Sequence, residues 1–132
     1  NENIMYFADT PTGRIQKFEY TKNFNKFYEL EANMIFKNVG EPDGATVDKD
    51  NNYWSARVRG KCIICVDTKD ETIIEKISLP TNTPTCVTFG GANLNSLYIT
   101  SLRADPTSDN EGGNLHKIET STQGRPQLLT DI

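Results

Sequence analysis

The stretch that decides the fold is Gly40-Glu41-Pro42-Asp43-Gly44-Ala45-Thr46-Val47-Asp48, which Lys49-Asp50-Asn51-Asn52 and then Tyr53-Trp54-Ser55-Ala56 follow directly. The Pro-Asp-Gly tripeptide predicts a turn, and the apolar residues after it predict a short strand. The Asp/Asn cluster then reverses the chain into a second, aromatic strand. Asp43 stands where the first strand begins, beside a glycine that permits close backbone approach. Its carboxylate either shapes a turn or binds a cation. The rest of the sequence is needed to distinguish between these two roles.

This unit is repeated along the chain. The tyrosines Tyr6, Tyr53 and Tyr98 are 47 and 45 positions apart and each opens a strand that a later glycine follows. The tyrosine-to-glycine gap is 7 residues at Gly13 and at Gly60, but 15 residues at Gly113, so the third copy carries an insertion of eight. Because the three tyrosines recur at nearly constant spacing, we predict that they pack, with Trp54, between repeated units.

Each unit resolves into short strands separated by Asn, Asp and Gly turns, which is typical of a propeller blade. In the second unit they are predicted at 45–47, 53–57, 61–66 and 73–79, and in the third at 85–89, 96–100, 115–118 and 127–130. The first unit shows strands at 4–8, 14–20 and 34–39 but no innermost strand. The sequence therefore predicts an all-β partial propeller with blades at 1–40, 41–83 and 84–132, and a β-sandwich is the alternative. Because propellers close with four to eight blades, we expect a fragment.

Composition excludes several classes of protein. The chain has 132 residues and a net charge of −4, whereas nucleic acids and anionic membrane surfaces attract basic proteins. Its longest dense apolar run, 62–66, is too short to span a membrane. The three cysteines form no disulfide framework, and Cys62 and Cys65 on one strand would point to opposite faces as small buried hydrophobes. These features predict a cytoplasmic protein that binds neither nucleic acid nor membrane.

The ordered motifs resemble a known family. They are Met5-Tyr6-Phe7-Ala8-Asp9-Thr10, the stretch 40–48, Tyr53-Trp54-Ser55-Ala56, Leu79-Pro80, Pro84-Thr85-Cys86-Val87-Thr88-Phe89-Gly90-Gly91, Leu97-Tyr98-Ile99-Thr100-Ser101 and Gly112-Gly113. In this order they resemble the senescence marker protein/gluconolactonase/luciferin-regenerating enzyme family, which includes regucalcin. The likeness runs from about Ile4 to Arg125 and covers only the C-terminal half of a member.

The resemblance implies a six-bladed propeller with one divalent cation, Ca²⁺ or Zn²⁺ with Mg²⁺ or Mn²⁺ as options, in a central channel. Members hydrolyse sugar lactones such as gluconolactone and related esters. Of the family's metal ligands, only the aspartate of the Pro-Asp-Gly turn has a counterpart here, and it is Asp43. A cation there would act as a Lewis acid, and Asp43 would be both its ligand and a possible general base. The other ligands would lie in the missing N-terminal half, so the isolated chain is expected to be inactive.

Other candidate residues have weaker support. Thr85 aligns with Asp43 one blade later, so it either lines the substrate channel or is an ordinary strand threonine. The loop from Arg103 to Gly113 carries the insertion and either covers the channel or is a solvated loop, with Arg103 a candidate for an anionic substrate. The Asp48–Asn52 segment fails the spacing of a calcium loop and is predicted to be a hairpin turn. His116, the only histidine, is predicted to be a packed or surface side chain.

Two further functions stay open at this stage. A calcium-binding regulatory propeller without turnover, resembling regucalcin, would use Asp43 in the same way. Alternatively, two copies could associate through their unpaired blades into a scaffold with two Asp43 carboxylates near one axis, although the missing inner strand would then recur in both copies.

Overall fold

Three antiparallel sheets make up the protein. The computed structural model describes residues 3–21, 26–105 and 107–126, and in these ranges it has ten strands and one 3₁₀ turn, Thr10–Thr12. The strands are β1 (Ile4–Asp9), β2 (Arg14–Thr21), β3 (Lys26–Ile35), β4 (Glu41–Val47), β5 (Tyr53–Val58), β6 (Cys62–Asp67), β7 (Thr72–Ser78), β8 (Pro84–Gly90), β9 (Ser96–Ser101) and β10 (Leu115–Glu119). No helix in the described ranges is long and apolar enough to cross a membrane.

The strand order within each sheet follows the chain order. The first sheet is β1-β2-β3, the second is β4-β5-β6-β7, and the third is β8-β9-β10. The all-β prediction is therefore confirmed, and the sheet order is consistent with a propeller-like fold. In the first sheet the described chain contains no strand before β1. The predicted strand at 127–130 lies outside the described residues, and the blade limits and the ring of six blades stay predictions.

The second sheet is the centre of the structure because both of its faces are covered. One cluster, which includes Ile15, Met34, Tyr53 and Ile64, fills the space between the first and second sheets. A second cluster, which includes Trp54, Ile63, Val87 and Leu97, fills the space between the second and third sheets. Strands β5 and β6 are consequently buried along nearly their whole length. A strand buried on both faces reads as a continuous apolar run, as 62–66 does.

Cys62 and Cys65 show this two-sided burial directly. Cys62 belongs to the cluster against the first sheet and Cys65 to the cluster against the third, so the two thiols point to opposite faces. Burial raises the pKa of the Cys65 thiol to about 12. Both side chains are buried, which confirms their prediction as small buried hydrophobes.

The tyrosine landmarks of the repeat prove to be one residue out of register. Cross-strand pairing places Tyr6 opposite Lys17 and Tyr98 opposite Lys117, but the corresponding residue of the second sheet is Trp54, opposite Cys65. The Tyr53 ring instead faces the first sheet, with its centroid 5.1 Å from that of Tyr6. Packing between sheets is thus confirmed for Tyr6, Tyr53 and Trp54, and for Tyr98 it stays a prediction. The equivalence of Tyr53 with Tyr6 and Tyr98 is wrong, because neighbouring residues of a strand face opposite ways.

The third strand of the first sheet also differs from its prediction. It was expected at 34–39 but runs from Lys26 to Ile35, paired with β2 from Thr21 to Arg14. The chain leaves the sheet after Ile35 because Asn38 and Gly40 adopt left-handed backbone angles, with φ of 62° and 75°. The predicted run 34–39 therefore covers the end of the strand and the turn into β4.

Candidate active site at the start of the inner strands

Asp43 lies at a β-bulge near the beginning of β4. Pro42 pairs with Arg57 and Ala45 with Ser55, so Asp43 and Gly44 together lie opposite the single residue Ala56. Bulges of this kind redirect a side chain and are frequent beside active sites. Asp43, which was predicted to be a metal ligand, thus lies where the backbone departs from regular strand pairing.

Thr85 occupies the matching place in β8. Pro84 pairs with Ser101 and Cys86 with Thr100, which leaves Thr85 as the additional residue of a second bulge. The predicted alignment of Pro42-Asp43-Gly44 with Pro84-Thr85-Cys86 is confirmed by this shared irregularity. The Thr85 hydroxyl lies 2.8 Å from the hydroxyl of Thr100, so Thr100 belongs to the same surface. Sequence reasoning missed Thr100, because only the strand register brings it beside the bulge.

Gly44 brings the two bulges together. A Cβ placed on Gly44 would come within 2.5 Å of Cys86 Sγ and 2.8 Å of Cys86 Cα. Strands β4 and β8, the first strands of the second and third sheets, therefore approach each other more closely than any side chain on Gly44 would allow. Asp43 and Thr85 consequently start adjacent strands at the same end of the sheets.

The segment before Asp43 is fixed by hydrogen bonds from neighbouring elements. Thr10 Oγ1 donates to the carbonyl of Pro42 at 2.8 Å. Arg57 is fully buried and donates from Nη2 to the carbonyl of Gly40 at 2.6 Å and from Nε to that of Val39 at 3.4 Å. Burial lowers the pKa of Arg57, and within the described chain its Nη1 has no hydrogen-bond partner. The backbone leading to Asp43 is therefore held from the first sheet and from within its own sheet.

An ion pair flanks this segment on its solvent side. Arg59 Nη2 lies 2.9 Å from Glu41 Oε1. The hydrogen bond from Arg59 holds the pKa of Glu41 below its ordinary value. Glu41 is therefore an anion paired with Arg59. Of the two carboxylates in this segment, Asp43 is the one that faces the groove described next.

Asp43 lines a groove between the first and second sheets. The groove has a volume of about 340 Å³, with Asp43–Val47 of β4 on one side and Ile4 and Tyr6–Ala8 of β1 on the other. The Asp43 side chain is half-buried, and the described residues offer its carboxylate neither a hydrogen bond nor an ion pair. A carboxylate that shapes a turn usually accepts a nearby backbone N–H. The turn-forming role is therefore unsupported, and both oxygens are available to a ligand.

Arg103 serves the loop rather than the groove in this structure. Its side chain is exposed, and its Nε donates to the carbonyl of Gly112 at 2.9 Å. It follows β9 at the end that pairs with the start of β8, where Leu102 N donates to Thr83 O at 2.9 Å. Arg103 thus lies at the same end of the sheets as Asp43 and Thr85, at the base of the inserted loop.

The inserted loop is fastened to the segment before β8. Asp109 is buried, and its Oδ2 accepts hydrogen bonds from Thr81 Oγ1 at 2.9 Å and from Asn82 N at 2.7 Å. Burial raises the pKa of Asp109, but these hydrogen bonds outweigh it and hold the pKa below its ordinary value. The loop therefore has a defined attachment beside the bulges, while its predicted role as a lid stays a prediction.

The described residues would supply at most one part of a metal site. They contain no group of three His, Cys, Asp or Glu side chains placed to hold a metal ion together. Calcium takes six to eight oxygen ligands, and zinc takes three or four protein ligands. The unpaired oxygens of Asp43 suit either ion, so Asp43 fits as one ligand, and the others would have to come from outside the described residues.

Comparison with known proteins places this arrangement in a family. The family model described as SMP-30/Gluconolactonase/LRE-like region matches residues 1–103. The chain belongs to this family. The resemblance inferred from the motifs is therefore confirmed.

Two curated relatives in the family are named as sugar lactonases. The 6-deoxy-6-sulfogluconolactonase of Pseudomonas putida is 41% identical over 105 residues, which are 79% of this chain and 36% of the relative. The pentonolactonase of Haloferax volcanii is 29% identical over 138 aligned positions, which span 97% of this chain and 47% of the relative. The chain spans less than half the length of these relatives.

A solved structure supports the fold. The regucalcin of Agrobacterium tumefaciens, described as a calcium-binding protein, matches with a TM-score of 0.85 and 23% identity over 98% of this chain and 46% of that protein. At this identity the match shows the shared fold alone.

Proposed function

We propose that this chain forms part of a divalent-metal-dependent lactonase that hydrolyses sugar lactones such as gluconolactone. Family membership and the lactonases among its relatives support the reaction class. The observation that carries the assignment to this chain is Asp43, an unpaired carboxylate on a bulge that faces a groove.

Asp43 would hold the cation together with ligands from outside the described residues. Its oxygens suit Ca²⁺ or Zn²⁺, with Mg²⁺ and Mn²⁺ as further options. When bound, such an ion supplies Lewis-acid polarisation of the lactone carbonyl. Because one ligand does not bind a cation tightly, the isolated chain would be inactive, and activity would require the other half of the propeller.

The remaining chemistry falls to side chains of this chain. The second oxygen of Asp43 would accept a proton from the attacking water, since a carboxylate beside a polarised carbonyl can serve as a general base. The hydroxyls of Thr85 and Thr100, which are hydrogen-bonded to each other, would hydrogen-bond the hydroxyls of a sugar lactone. Arg103, at the same end of the sheets, would attract an acidic substituent of the substrate.

The test is the substitution Asp43→Ala in the whole protein. Metal affinity is measured by calorimetric titration, and hydrolysis of gluconolactone and of an aromatic ester is followed with a pH indicator. We expect loss of most metal binding and a fall in kcat/KM of about 10²- to 10⁴-fold, the usual range for a positioned acid–base group. Asp50→Ala, in the exposed turn after β4, is the matched control and keeps both properties. Unchanged metal binding in Asp43→Ala would overturn the proposal.

A calcium-binding regulatory propeller is the second candidate. A curated relative named regucalcin, from Danio rerio, supports it. This candidate predicts that Asp43→Ala lowers metal affinity while neither substrate is hydrolysed with any of the four cations. Turnover that depends on added metal would exclude it. In either case we propose a cytoplasmic location, because all three cysteines are free thiols.

A further inference from the structure

A second pocket lies between the first and second sheets, towards the end of the sheets opposite to Asp43. Its volume is about 430 Å³. Asp43 lies near the start of β4, whereas this pocket is lined by Val47 at the end of that strand. Asn51 and Thr68, in the turns after β4 and β6, also line it. We call it the basic pocket, for the side chains described below.

The internal repeat explains why this space is open. By cross-strand register, Val47 of β4 corresponds to Phe89 of β8. Between the second and third sheets, the Phe89 ring packs edge-on against Trp54, with the ring centroids 5.5 Å apart. Between the first and second sheets, the smaller Val47 lies at that place, beside the Trp54 counterpart Tyr6. The shorter side chain therefore leaves open the volume that a phenyl ring fills in the next interface.

The same register places a lysine in this space. Lys17 of β2 pairs with Tyr6 and Leu30, and its counterpart in the second sheet is Cys65, which is buried in the cluster against the third sheet. Lys17 is half-buried, and within the described chain its ammonium group has neither a hydrogen bond nor an ion pair. Because β2 is flanked by both β1 and β3, the place of Lys17 does not depend on what lies beside β1.

Positive charge is concentrated around the pocket. Lys17, Lys69 and Arg125 line it, and among the described lining residues the acidic side chain is Glu19. The ammonium group of Lys69 also lacks an ion-pair partner among the described residues. The whole chain has a net charge of −4, so this excess of cations is local. Like charges held together repel one another, and an anion bound between them relieves that repulsion.

Arg125 is held in position at this pocket. Its Nε donates to the carbonyl of Asp48 at 3.1 Å, and its Nη2 donates to Oδ1 of Asn51. Both acceptors are uncharged, so the guanidinium keeps its charge while its place is fixed. The pocket thus combines one positioned cation with two lysines on flexible stems that can close on a ligand.

We propose that the basic pocket binds a small organic anion. The carboxylate or phosphate group of the ligand lies between Lys17 and Lys69, near Arg125, and its apolar part packs against Leu30 and Val47. Small-molecule sites have volumes in this range and combine an apolar lining with a few polar groups that orient the ligand. The site is separate from the candidate active site, so the proposal holds whether or not the chain is part of a lactonase.

The experiment titrates the chain with matched probes and follows its amide resonances by NMR. Benzoate and phenyl phosphate are the anionic probes, benzyl alcohol is an uncharged probe of similar size, and inorganic phosphate is an anion without an apolar part. Lys17→Met and Lys69→Met each remove one charge from the pocket. Lys76→Met, which removes an exposed charge on β7, is the matched control. Val47→Phe fills the pocket, as Phe89 fills the next interface, without a change of net charge.

We expect both anionic probes to shift the amide resonances of Lys17, Val47 and Lys69 in a saturable way. Benzyl alcohol and inorganic phosphate should bind about tenfold more weakly, because each lacks either the charge or the apolar part. Lys17→Met and Lys69→Met should each weaken binding of the anionic probes about tenfold, and Lys76→Met should bind as the parent does. Val47→Phe should abolish the shifts; if it does not fold, the two lysine variants still decide the outcome.

Tighter binding of phenyl phosphate would assign the site to a phosphate ester, and tighter binding of benzoate would assign it to a carboxylate. The proposal would be overturned if neither anion gave saturable shifts, or if Lys17→Met and Lys69→Met bound as tightly as the parent. Equal affinity for benzyl alcohol would show an apolar cavity without selectivity for anions. Shifts confined to Asp43 and Thr85 would place the anion at the candidate active site and would likewise contradict the proposal.

Discussion

Asp48 is the acidic residue whose surroundings are most completely defined. Its carboxylate is fully buried; Oδ1 accepts hydrogen bonds from the backbone N–H groups of Asp50 and Asn52, and Oδ2 accepts one each from Asn52 Nδ2 and Trp54 Nε1. This confirms the predicted hairpin turn and explains its acidic residue, because the anion satisfies donors that would otherwise be buried without partners. Asp43 and Asp48 thus belong to one strand and its turn but have opposite situations, one unpaired in a groove and one saturated in the core.

Replacing Asp48 by Asn should be costly for stability. Asn keeps the shape but turns an amide N–H₂ towards donors, so the indole N–H of Trp54 or the amide of Asn52 loses its acceptor. Leaving a buried donor unsatisfied costs about 1–3 kcal/mol, and more where the lost partner was charged. We expect the free energy of unfolding in urea to fall by about 2–4 kcal/mol in Asp48→Asn, on this scale.

Asp50→Asn, which changes an exposed side chain of the same turn, should shift the free energy by less than about 0.5 kcal/mol. Trp54→Phe combined with Asp48→Asn should cost less than the sum of the two single changes, because the two side chains share a hydrogen bond. Strict additivity in that cycle would show that the bond contributes nothing measurable.

The strands β4 and β8 form a pair of elements whose spacing is set by one glycine. Gly44→Ala would place a methyl group within 2.8 Å of Cys86 Cβ and Cα, so the strands would have to separate. Overpacking of this kind typically costs about 1–3 kcal/mol, which we expect to observe as a lower urea midpoint. Adding Cys86→Gly removes the Sγ and Cβ contacts but not the contact with Cα, and should restore only part of the loss.

Gly13→Ala is the comparison for this pair. A Cβ on Gly13 has no neighbour within 4 Å, and the residue has a φ of 73°. Its cost is therefore confined to left-handed backbone strain of about 1–2 kcal/mol, and Cys86→Gly should not change it. Rescue of both glycine variants to the same degree would contradict a specific contact between β4 and β8.

The inserted loop should weaken in acid through Asp105. Hydrogen bonds from the hydroxyls of Thr107 and Ser108 and from the backbone N–H of Thr107 lower the pKa of Asp105 to about 2, from an ordinary value of 3.8. Because the folded pKa is the lower one, this contribution to stability is present above about pH 4 and is lost as the pH falls towards 2.

We expect Asp105→Asn to lower the urea midpoint at about pH 6, and we expect its difference from the parent protein to shrink steadily between about pH 4 and pH 2, as the carboxylate becomes protonated in the folded protein. Asp70→Asn, in the exposed turn after β6, serves as the control for general charge effects. A difference between Asp105→Asn and the parent that stays constant with pH would show that the carboxylate does not stabilise the loop.

For the molecule as a whole, the sequence predicted what repeats and missed what depends on strand register. Most strand positions and the sheet order follow from apolar alternation and turn residues, which act locally, and the repeat aligned Asp43 with Thr85. The third strand of the first sheet and the two bulges were not predicted, because both depend on how the strands pair. The one-residue offset of Tyr53 could not be read from spacing, since Tyr53 and Trp54 are adjacent aromatics and only packing decides which faces the third sheet. The roles of Arg57 and Thr100 were missed because their partners lie on neighbouring strands.

The outer face of the first sheet should make the isolated chain associate. Met5, Phe7, Phe27 and Ile35 are 39–53% exposed, and alternation along β1 directs Met5 and Phe7 away from the second sheet. Burial of one Phe side chain is worth about 1.5–3 kcal/mol, which corresponds to roughly 10- to 100-fold in affinity. We expect Phe7→Thr to weaken self-association by about that factor in sedimentation equilibrium, on this scale.

Ile74→Thr, on β7 and 55% exposed, removes comparable apolar surface away from this face and should leave association unchanged. A parent chain that stays monomeric at high concentration would show that this face needs no partner, and equal weakening by both substitutions would show that association is not confined to it.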